Sequence, residues 1–357
     1  MWHNTSDTVK KASIATNTIP NIAFYNRLMK QRVVTERGGE KTAISLLSAF
    51  EYPQQINVMV TSIARYGDKI YCRYFDMLMQ EIGNPFESVV FPKYTIMCLR
   101  REGARFMSLS ETSSGQYEYP VPITDRTQSE PTHFLSICLS PIYGTEPKWL
   151  QLAELVEHYK IQGATYFYIY SKYIDAYSRI LLDDYVRTGD AEVIILHDHS
   201  EREDYRWQFM EIHECLNRAR GHSRWVAFVD LDERLTPTDY SGTGLTDDNI
   251  GGIRFRQRWI LKNETLPERY VDANQVLIMY VHDVAVFFEN YTMYRMKPEE
   301  GVIRHYRDVN AGQWSKKWLG GIERMGNFSM TDYPEKWANE LLSKVQKRIH
   351  YVYGPKK

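Results

Sequence analysis

The feature that most constrains the fold of this chain is a regular alternation of buried strands and amphipathic helices between residues 133 and 233. The apolar runs HFLSICLSP, ATYFYIY, AEVIIL and RWVAFV are typical of buried strands, and the three segments between them carry apolar residues at helical spacing. Asp175 is predicted to cap the second helix, and Gly163, Gly189 and Gly221 follow the three segments where helices end. The apolar helical positions are Trp149, Leu152, Val156 and Tyr159, then Ile180, Leu181 and Tyr185, then Phe209, Ile212, Leu216 and Ala219. Strands joined in this way favour right-handed crossovers, so the sequence predicts an α/β fold with a mainly parallel sheet and helices on both faces.

The region before this alternation has a different pattern. From about Lys41 to Arg126, β-branched and aromatic runs such as KIYCRYF and SVVFPKYTIMCLR are separated by the turn-forming segments YGD, GNP and REG. The segment PVPITDRTQSEPTH has the composition of a linker, which places a boundary near Pro131. We predict a flexible polar leader in residues 1–40, a β-rich accessory domain in 41–131, an α/β domain in 132–330, and in 331–357 a C-terminal helix marked by Trp337, Leu341 and Val345, followed by a tail.

Composition excludes several classes of protein. Lys and Arg number 44, and Asp and Glu number 45, so the formal charge is −1 and no bulk basic field is available for nucleic acid. A nucleic-acid partner is therefore not expected. No run of about 18 apolar residues occurs, so the chain as written is predicted to carry neither a membrane span nor a signal peptide.

Cysteines and glycosylation sequons bear on the cellular compartment. Cys138 and Cys215 occupy apolar positions of a predicted strand and helix, where small buried hydrophobic side chains are expected. Cys72 and Cys98 could pair within the β-rich region if the compartment is oxidising. Four Asn-x-Ser/Thr sequons hint at a secretory lumen, and they begin at Asn4, Asn263, Asn290 and Asn327.

Three acidic residues directly follow the fourth predicted strand. Asp230, Asp232 and Glu233 are expected at the carboxyl edge of the parallel sheet, where ligands bind in folds of this kind. Alternation along an extended chain turns Asp230 and Asp232 the same way, so their carboxylates can share one divalent cation. Such a cation can bridge a nucleotide diphosphate and neutralise the charge that develops as it leaves. The alternative is a solvated acidic turn.

Other chemistries fit these residues less well. A phosphatase of the haloacid-dehalogenase type also ends a strand with D-x-D, but it requires Thr or Val where this chain has Arg234. The first strand-to-helix connection, SPIYGTEPKW, lacks G-x-G-x-x-G, and the chain has neither a G-x-x-x-x-G-K-[ST] nor a G-x-S-x-G motif. The sequence therefore does not support a dehydrogenase, a P-loop enzyme or a serine hydrolase.

An arginine-rich segment lies downstream of the acidic residues. GGIRFRQRWI alternates strictly, which predicts one strand with Ile253, Phe255, Gln257 and Trp259 on one side and Arg254, Arg256 and Arg258 on the other. A guanidinium at the cleft could bind phosphate oxygens through two parallel hydrogen bonds, and we assign this role to Arg256. The alternative is a solvated stripe paired with nearby acids.

Two histidines could complete a metal site. His282 in IMYVHDV and His305 in VIRHYRDV each end an apolar, strand-like stretch, so either could reach the acids as a neutral imidazole ligand. A structural role is the alternative for each of them. The other histidines, including His197 and His199, are expected in solvent or loop positions.

Several segments together resemble glycosyltransferase family 92. The resemblance is carried by the run CLSPIYGTEPKWLQLAELVEHYKIQGATYFYIY, by SRILLDDYVRTGDAEVI, RGHSRWVAFVDLDERL, GGIRFRQRW and IRHYRDV, and upstream by YCRYF, PFESVVFP and PVPITDR. It covers roughly residues 50 to 350. It implies a GT-A fold, type II membrane attachment in the Golgi, and transfer of galactose from UDP-galactose to glycans, with inversion and with manganese.

The resemblance also implies roles for individual residues. The D-x-D motif of the fold corresponds to Asp230 and Asp232, with Asp232 binding the metal directly and Asp230 binding the metal or the ribose. The metal-binding histidine corresponds to His305, with His282 as the second choice. The membrane anchor usual in the family is expected from relatives and is not found in this sequence.

The general base of such a transfer is not identified by any motif. An inverting transfer needs one carboxylate to deprotonate the acceptor hydroxyl, and Glu264, Glu268 and Asp272 are the base candidates between the acids and the histidines. The expected function is a metal-dependent inverting glycosyltransferase that moves a hexose, galactose by resemblance, onto a glycan hydroxyl. The alternative is an inactive carbohydrate-binding or scaffold protein on the same fold.

Overall fold

The chain divides into two compact units, each assembled from separate stretches of sequence. The first comprises Met1–Thr132, Leu196–Arg224 and Asp272–Thr292, and the second comprises His133–Ile195, Trp225–Val271 and Met293–Lys357. The structure is a computed structural model that describes residues 40–198, 207–237, 249–260, 269–281, 283–288, 290–297, 300–306 and 333–355, with backbone alone at 237, 256–260, 269–270 and 305–306. The domains predicted at 41–131 and 132–330 stay a prediction.

The first unit is built around a seven-stranded sheet from the N-terminal region. Its strands are β1 (Leu46–Glu51), β2 (Gln55–Val60), β3 (Lys69–Phe75), β4 (Phe86–Val89), β5 (Thr95–Leu99), β6 (Phe106–Ser110) and β7 (Val121–Asp125). Their order is β4-β3-β6-β7-β1-β2-β5, and β1 and β7 pair in parallel. This confirms the predicted β-rich region. The predicted linker PVPITDRTQSEPTH was wrong in its first part, because Val121 to Asp125 form a strand paired with β1 and β6.

The two ends of this sheet meet. Ser88 of β4 donates from Oγ to the Met97 carbonyl of β5 at 2.7 Å. Cys72 of β3 and Cys98 of β5 are both fully buried and form a disulfide across a Cα–Cα distance of 6.0 Å. Cys138 and Cys215 were predicted as small buried hydrophobic residues; both are fully buried, as predicted, but both are also disulfide-bonded, which that prediction did not include.

The predicted alternation of strands and helices is present after Thr132. It runs through β8 (His133–Ile142), α1 (Trp149–Ile161), β9 (Tyr166–Ser171), α2 (Ala176–Arg187), β10 (Ala191–Ile195), α3 (Trp207–Ala219) and β11 (Ser223–Val229). Asp175 caps α2 by accepting a hydrogen bond from the Ser178 N–H at 2.9 Å. Strands β8, β9 and β10 pair in parallel. The predicted α/β fold with parallel strands, preceded by a β-rich region, is confirmed.

The remaining strands extend this sheet and form two smaller ones. They are β12 (Glu233–Pro237), β13 (Ile250–Arg254), β14 (Arg256–Ile260), β15 (Arg269–Val271), β16 (Val276–Tyr280), β17 (Asp283–Phe287), β18 (Thr292–Arg295) and β19 (Gly301–Tyr306). The second seven-stranded sheet has the order β10-β9-β8-β11-β15-β13-β18, the three-stranded sheet has the order β12-β19-β14, and β16 pairs with β17. The single strand predicted for GGIRFRQRWI was wrong, because the segment is split between β13 of the large sheet and β14 of the small one.

Helix α3 belongs to the first unit and packs on its β-sheet through buried polar groups. Ser48 donates from Oγ to a Glu214 carboxylate oxygen at 2.7 Å, and Asn57 donates from Nδ2 to Asn217 Oδ1 at 2.7 Å. After the helix, Gly221 has φ +75, and a Cβ there would lie 2.6 Å from the Arg126 carbonyl oxygen. Glycine is therefore required by both the backbone angle and the space.

The predicted C-terminal helix is present as α4 (Glu335–Tyr353). Trp337 and Val345 are buried, and Leu341 packs against the core of the second unit. Arg348 binds Asp184 of α2 at 2.6 Å and Glu157 of α1 at 3.4 Å, which fixes α4 to both helices. Among the described residues, none of the helices combines the length and the apolar character needed to cross a membrane.

Candidate functional site

The predicted acidic residues form a tight turn between β11 and β12. The Glu233 N–H donates to the Asp230 carbonyl at 3.1 Å, and the Asp230 N–H donates to Glu233 Oε2 at 2.7 Å. The turn is therefore closed in both directions, once by backbone and once by a side chain. Glu233 is buried, whereas Asp230 and Asp232 are half-buried. Glu233 therefore holds the turn, and the two aspartates are more accessible to solvent.

Asp230 lies where two strands end. Ser140, near the carboxyl end of β8, donates from Oγ to Asp230 Oδ1 at 2.5 Å. Because β8 and β11 are neighbours in the large sheet, this contact brings their carboxyl ends to one edge. The turn thus occupies the edge where α/β folds of this kind bind ligands, as the sequence predicts.

Arg234 braces the same turn. Its Nη1 donates to the carbonyls of Leu231 at 2.9 Å and Glu233 at 2.8 Å. Its Nη2 lies 3.8 Å from a Glu154 carboxylate oxygen on α1. Since a guanidinium has several donors in a rigid plane, one side chain can fix two carbonyls of the turn and a helix at once. Sequence reasoning noted Arg234 only because it does not fit a phosphatase.

Two neighbouring residues of α1 hold the strand that follows the turn. The Tyr159 hydroxyl accepts from the Leu235 N–H at 3.2 Å. His158 Nε2 lies 2.7 Å from the Leu235 carbonyl, and its Nδ1 lies 2.6 Å from the Tyr333 hydroxyl. Since a carbonyl only accepts, Nε2 carries the proton and Nδ1 accepts from Tyr333. Burial is the main cause that lowers the pKa of His158 to about 3, so its ring is neutral at physiological pH.

The prediction that the remaining histidines occupy solvent or loop positions was wrong for two of them. His158 and His213 are both buried inside helices. Their positions in α1 and α3 fall beside the apolar residues that define the buried helical faces, and that spacing could have revealed them. Ser140 lies near the end of a strand that the sequence predicts as buried, and a polar residue at that position could also have been recognised from the sequence.

His305 is placed beside the acidic turn by strand register. Strand β19 runs antiparallel to β12, with His305 opposite Glu233. The backbone of His305 therefore lies next to the residue that follows Asp232, while its side chain lies outside the described residues. Paired residues of an antiparallel ladder lie about 5 Å apart. The register thus brings the predicted histidine and the predicted aspartates to one place.

Arg256 lies farther along the same small sheet. Strand β14 pairs in parallel with β19, and the register matches Arg256 with Val302 and Trp259 with His305. At about 3.3 Å per residue, the Arg256 backbone is displaced roughly 10 Å along the strand from the level of His305. Its side chain is outside the described residues, so its role in nucleotide binding stays a prediction.

Asp272 is the one base candidate among the residues that the structure describes. Asp272 is fully buried, forms an ion pair with Arg224 at 2.8 Å and accepts from the Asn274 N–H at 2.9 Å. Burial is the main cause that raises the pKa of Asp272. These contacts are typical of a carboxylate with a structural role, which stabilises the turn at Asn274. Glu264, Glu268 and His282 lie outside the described residues.

The donor set of the turn fits a hard divalent cation. Asp230 and Asp232 supply carboxylate oxygens from a backbone fixed by Glu233 and Arg234, and carboxylates are the ligands that Mg²⁺ and Mn²⁺ prefer. An imidazole from the position of His305 would add a nitrogen ligand of the kind that Mn²⁺ accepts. A cation held there could bind diphosphate oxygens at the sheet edge.

Comparison with known proteins identifies relatives of this chain. A protein-family model described as Glycosyltransferase family 92 matches residues 133–341. A curated relative from Caenorhabditis elegans, Beta-1,4-galactosyltransferase galt-1, is 28% identical over 192 residues, which cover 47% of this chain and 44% of the relative. Another from the same organism, Glycosyltransferase family 92 protein F13G3.3, is 30% identical over 142 residues, which cover 36% of this chain and 28% of the relative. The chain thus matches less than half the length of either relative.

Solved structures of similar topology share little sequence with this chain. S. aureus TarS 1-349 in complex with UDP-GlcNAc aligns with a TM-score of 0.36 and 10% identity, over 61% of this chain and 73% of TarS. The mannosyltransferase PcManGT from Pyrobaculum calidifontis, in complex with GDP-Man and Mn2+, aligns with a TM-score of 0.33 and 10% identity, over 64% of this chain and 78% of that enzyme. Both TM-scores lie below 0.5, and structural likeness at that level supports no functional inference.

The family match has the greater weight because it covers more than half of the chain. Its residues include the acidic turn, the bracing Arg234 and the strand that carries His305. The sequence resemblance, stated for roughly residues 50 to 350, and the family model overlap over residues 133–341. The chain belongs to glycosyltransferase family 92.

Proposed function

We propose that this protein is a glycosyltransferase that moves a sugar from a nucleotide-sugar donor to a glycan acceptor. The observation that carries the proposal is the Asp230–Asp232 turn at the carboxyl edge of the sheet, with the His305 strand paired directly beside it. In this proposal Asp230 and Asp232 hold a divalent cation together with His305. The cation supplies charge stabilisation to the departing nucleotide diphosphate.

The finer assignment is a metal-dependent, inverting galactosyltransferase that uses UDP-galactose and Mn²⁺. Membership of family 92 and the name of the relative galt-1, a β-1,4-galactosyltransferase, support the donor. The cation is supported by the chemistry of the two carboxylates. Arg256 is proposed to bind the nucleotide, and the acceptor base is proposed among Glu264, Glu268 and Asp272, although the burial of Asp272 favours the two glutamates.

We further propose that the protein works in the lumen of the secretory pathway, in the Golgi, and is membrane-associated as family resemblance implies. Disulfides persist in oxidising compartments, and all four cysteines of this chain are disulfide-bonded. This supports a luminal site, where nucleotide sugars and glycan acceptors meet.

The decisive experiment combines ligand binding with turnover in one matched pair of variants. Asp232→Asn is compared with Asp183→Asn, which alters an exposed aspartate on α2 that forms an ion pair with the exposed Arg179. With Mn²⁺, UDP-galactose should raise the melting temperature of wild type and of Asp183→Asn. Asp232→Asn should keep the melting temperature of the unliganded protein, lose the metal-dependent shift, and lose transfer by about 100-fold or more.

The outcomes separate the proposal from a binding or scaffold protein. Near wild-type transfer by Asp232→Asn would reject the metal role of this turn. A thermal shift with sugars that is independent of Mn²⁺, without donor hydrolysis or transfer by wild type, would favour a carbohydrate-binding protein. A panel of UDP-sugars in the same assay tests whether galactose is the preferred donor.

A further inference from the structure

One of the four glycosylation sequons lies at a surface turn. Asn290, Tyr291 and Thr292 connect β17 to β18 and form the sequence Asn-Tyr-Thr. Asn290 and Thr292 are both exposed. The acceptor amide and the hydroxyl two residues later are thus both on the surface. The residue between them is tyrosine, so the sequon has no proline at its middle position.

The backbone of Asn290 suits its position in the turn. Its φ is +69, in the left-handed region that asparagine adopts more readily than most residues. The preceding residues turn back on themselves, since the Tyr291 N–H lies 3.4 Å from the Phe288 carbonyl. Because this turn contact joins backbone atoms, modification of the Asn290 side-chain amide does not remove it.

The adjacent strand leaves room for a bulky group. Strand β18 is the last strand in the order of the large sheet, so among the described strands it has a neighbour on one side only. Thr292, its first residue, is exposed. An edge strand offers unpaired backbone groups to other chains, and proteins protect such edges with charged or bulky groups. A glycan beside β18 would provide this protection.

We propose that Asn290 is N-glycosylated in the secretory pathway. The acceptor is its Nδ2, which forms a bond to C1 of an oligosaccharide carried on a lipid diphosphate. The bond between C1 and the diphosphate oxygen breaks, the lipid diphosphate leaves with its electron pair, and Nδ2 gives up one proton. The inference rests on the luminal location proposed above, which the disulfide-bonded cysteines support.

The test uses variants that change the acceptor chemistry and preserve local shape. Asn290→Asp keeps a short polar side chain that tolerates positive φ, but it has no amide nitrogen. Thr292→Val keeps a β-branched side chain in β18 and removes the hydroxyl, whereas Thr292→Ser keeps the hydroxyl. The full chain is expressed in cultured animal cells behind a cleavable secretion signal, and glycans are counted by mass before and after enzymatic removal of N-glycans.

The expected result is site-specific. Asn290→Asp and Thr292→Val should each carry one glycan fewer than wild type, and Thr292→Ser should retain glycan at this site. In wild type, enzymatic removal in heavy-oxygen water should convert the peptide containing Asn290 to the labelled aspartyl form. Because the other three sequons lie outside the described residues, the count is made against wild type site by site.

Two further readouts keep this proposal separate from the proposed activity. The disulfide between Cys72 and Cys98 is mapped in the same protein, to show that the chain folded in an oxidising lumen. If the Asn290 peptide is unmodified and the disulfide has formed, the glycosylation proposal is overturned. If the peptide is unmodified and the cysteines are reduced, both the glycosylation proposal and the luminal location are overturned. Glycosylation without any sugar transfer leaves this proposal standing and rejects the proposed function. Transfer by Asn290→Asp should stay within about twofold of wild type.

Discussion

At the scale of single residues, the acidic cluster separates into two kinds of carboxylate. The sequence groups Asp230, Asp232 and Glu233 as three acids after a strand, and their location at the sheet edge could be predicted from the strand pattern alone. The separate role of Glu233 could not be predicted, because the geometry of a four-residue turn directs its carboxylate to the N–H of Asp230. Arg234 likewise binds the carbonyls of Leu231 and Glu233, three residues and one residue before it, a contact that spacing does not reveal.

Glu233 should set the affinity of the turn for metal without binding metal. Glu233→Met removes the acceptor of a backbone N–H and should lower the free energy of unfolding by about 1–3 kcal/mol. It should also raise the Mn²⁺ concentration needed for half-maximal thermal stabilisation by about tenfold or more, as loss of an orienting partner does at other metal sites. Glu233→Gln, which keeps an acceptor oxygen, should show much smaller changes.

The matched control is Glu154→Gln, which alters a half-buried carboxylate 3.8 Å from Arg234 Nη2. Calorimetric titration with Mn²⁺ and urea unfolding measure both quantities on the same samples. Equal metal affinity in wild type and Glu233→Met would contradict the role assigned to Glu233.

At the scale of elements, periodicity predicts strands but not their partners. The segment GGIRFRQRWI alternates throughout, and the sequence therefore predicts one strand. In the structure the Arg254 carbonyl accepts from the Met296 N–H after β18, and the residues from Arg256 onward pair with β19 instead. Alternation continues when a chain passes from one sheet to another, since each sheet has the same period of two. A change of partner is a long-range event that the local pattern does not record.

The helix α4 should depend on one arginine for its attachment. Arg348 is largely buried and binds Asp184 and Glu157, which are also largely buried. Arg348→Met leaves two buried carboxylates without this cation and should lower the free energy of unfolding by about 3 kcal/mol, measured by urea unfolding.

Arg187→Met is the matched control, because Arg187 binds the same Asp184 from an exposed position on α2. Exposed ion pairs contribute little, so this variant should lose less than about 1 kcal/mol. A similar loss in both variants would mean that burial of the ion pair does not determine the strength of this contact.

At the scale of the whole molecule, two buried histidines should make stability depend on pH. Burial is the main cause that lowers the pKa of His158 and of His213 to about 3, and the two residues lie in different compact units. In the unfolded chain a histidine pKa is about 6.5, so below that pH the unfolded state binds more protons than the folded state. Stability is therefore lost as pH falls from about 6.5 towards 3.

The expected loss is about 2 kcal/mol for each of the two histidines between pH 6.5 and pH 5, above the range where most carboxylates titrate. Urea unfolding at several pH values should show a shallower decline for His158→Gln than for wild type, even if that variant is less stable at pH 7. His350→Gln, which alters an exposed histidine on α4, is the control for removing a histidine that is not buried. An unchanged slope in His158→Gln would contradict the neutral state assigned to His158.

The packing of α3 on the first β-sheet has a practical consequence for the design of protein fragments. A polypeptide starting at Thr132 would still contain α3, but it would lack Ser48, Asn57 and Tyr52, which satisfy Glu214 and Asn217 in the intact protein. The shortened chain would expose an apolar face of α3 on which the Glu214 carboxylate and the Asn217 amide lack these hydrogen-bond partners from the N-terminal strands. A catalytic fragment made for crystallisation or engineering should therefore retain the N-terminal strands, even though the family match begins after them.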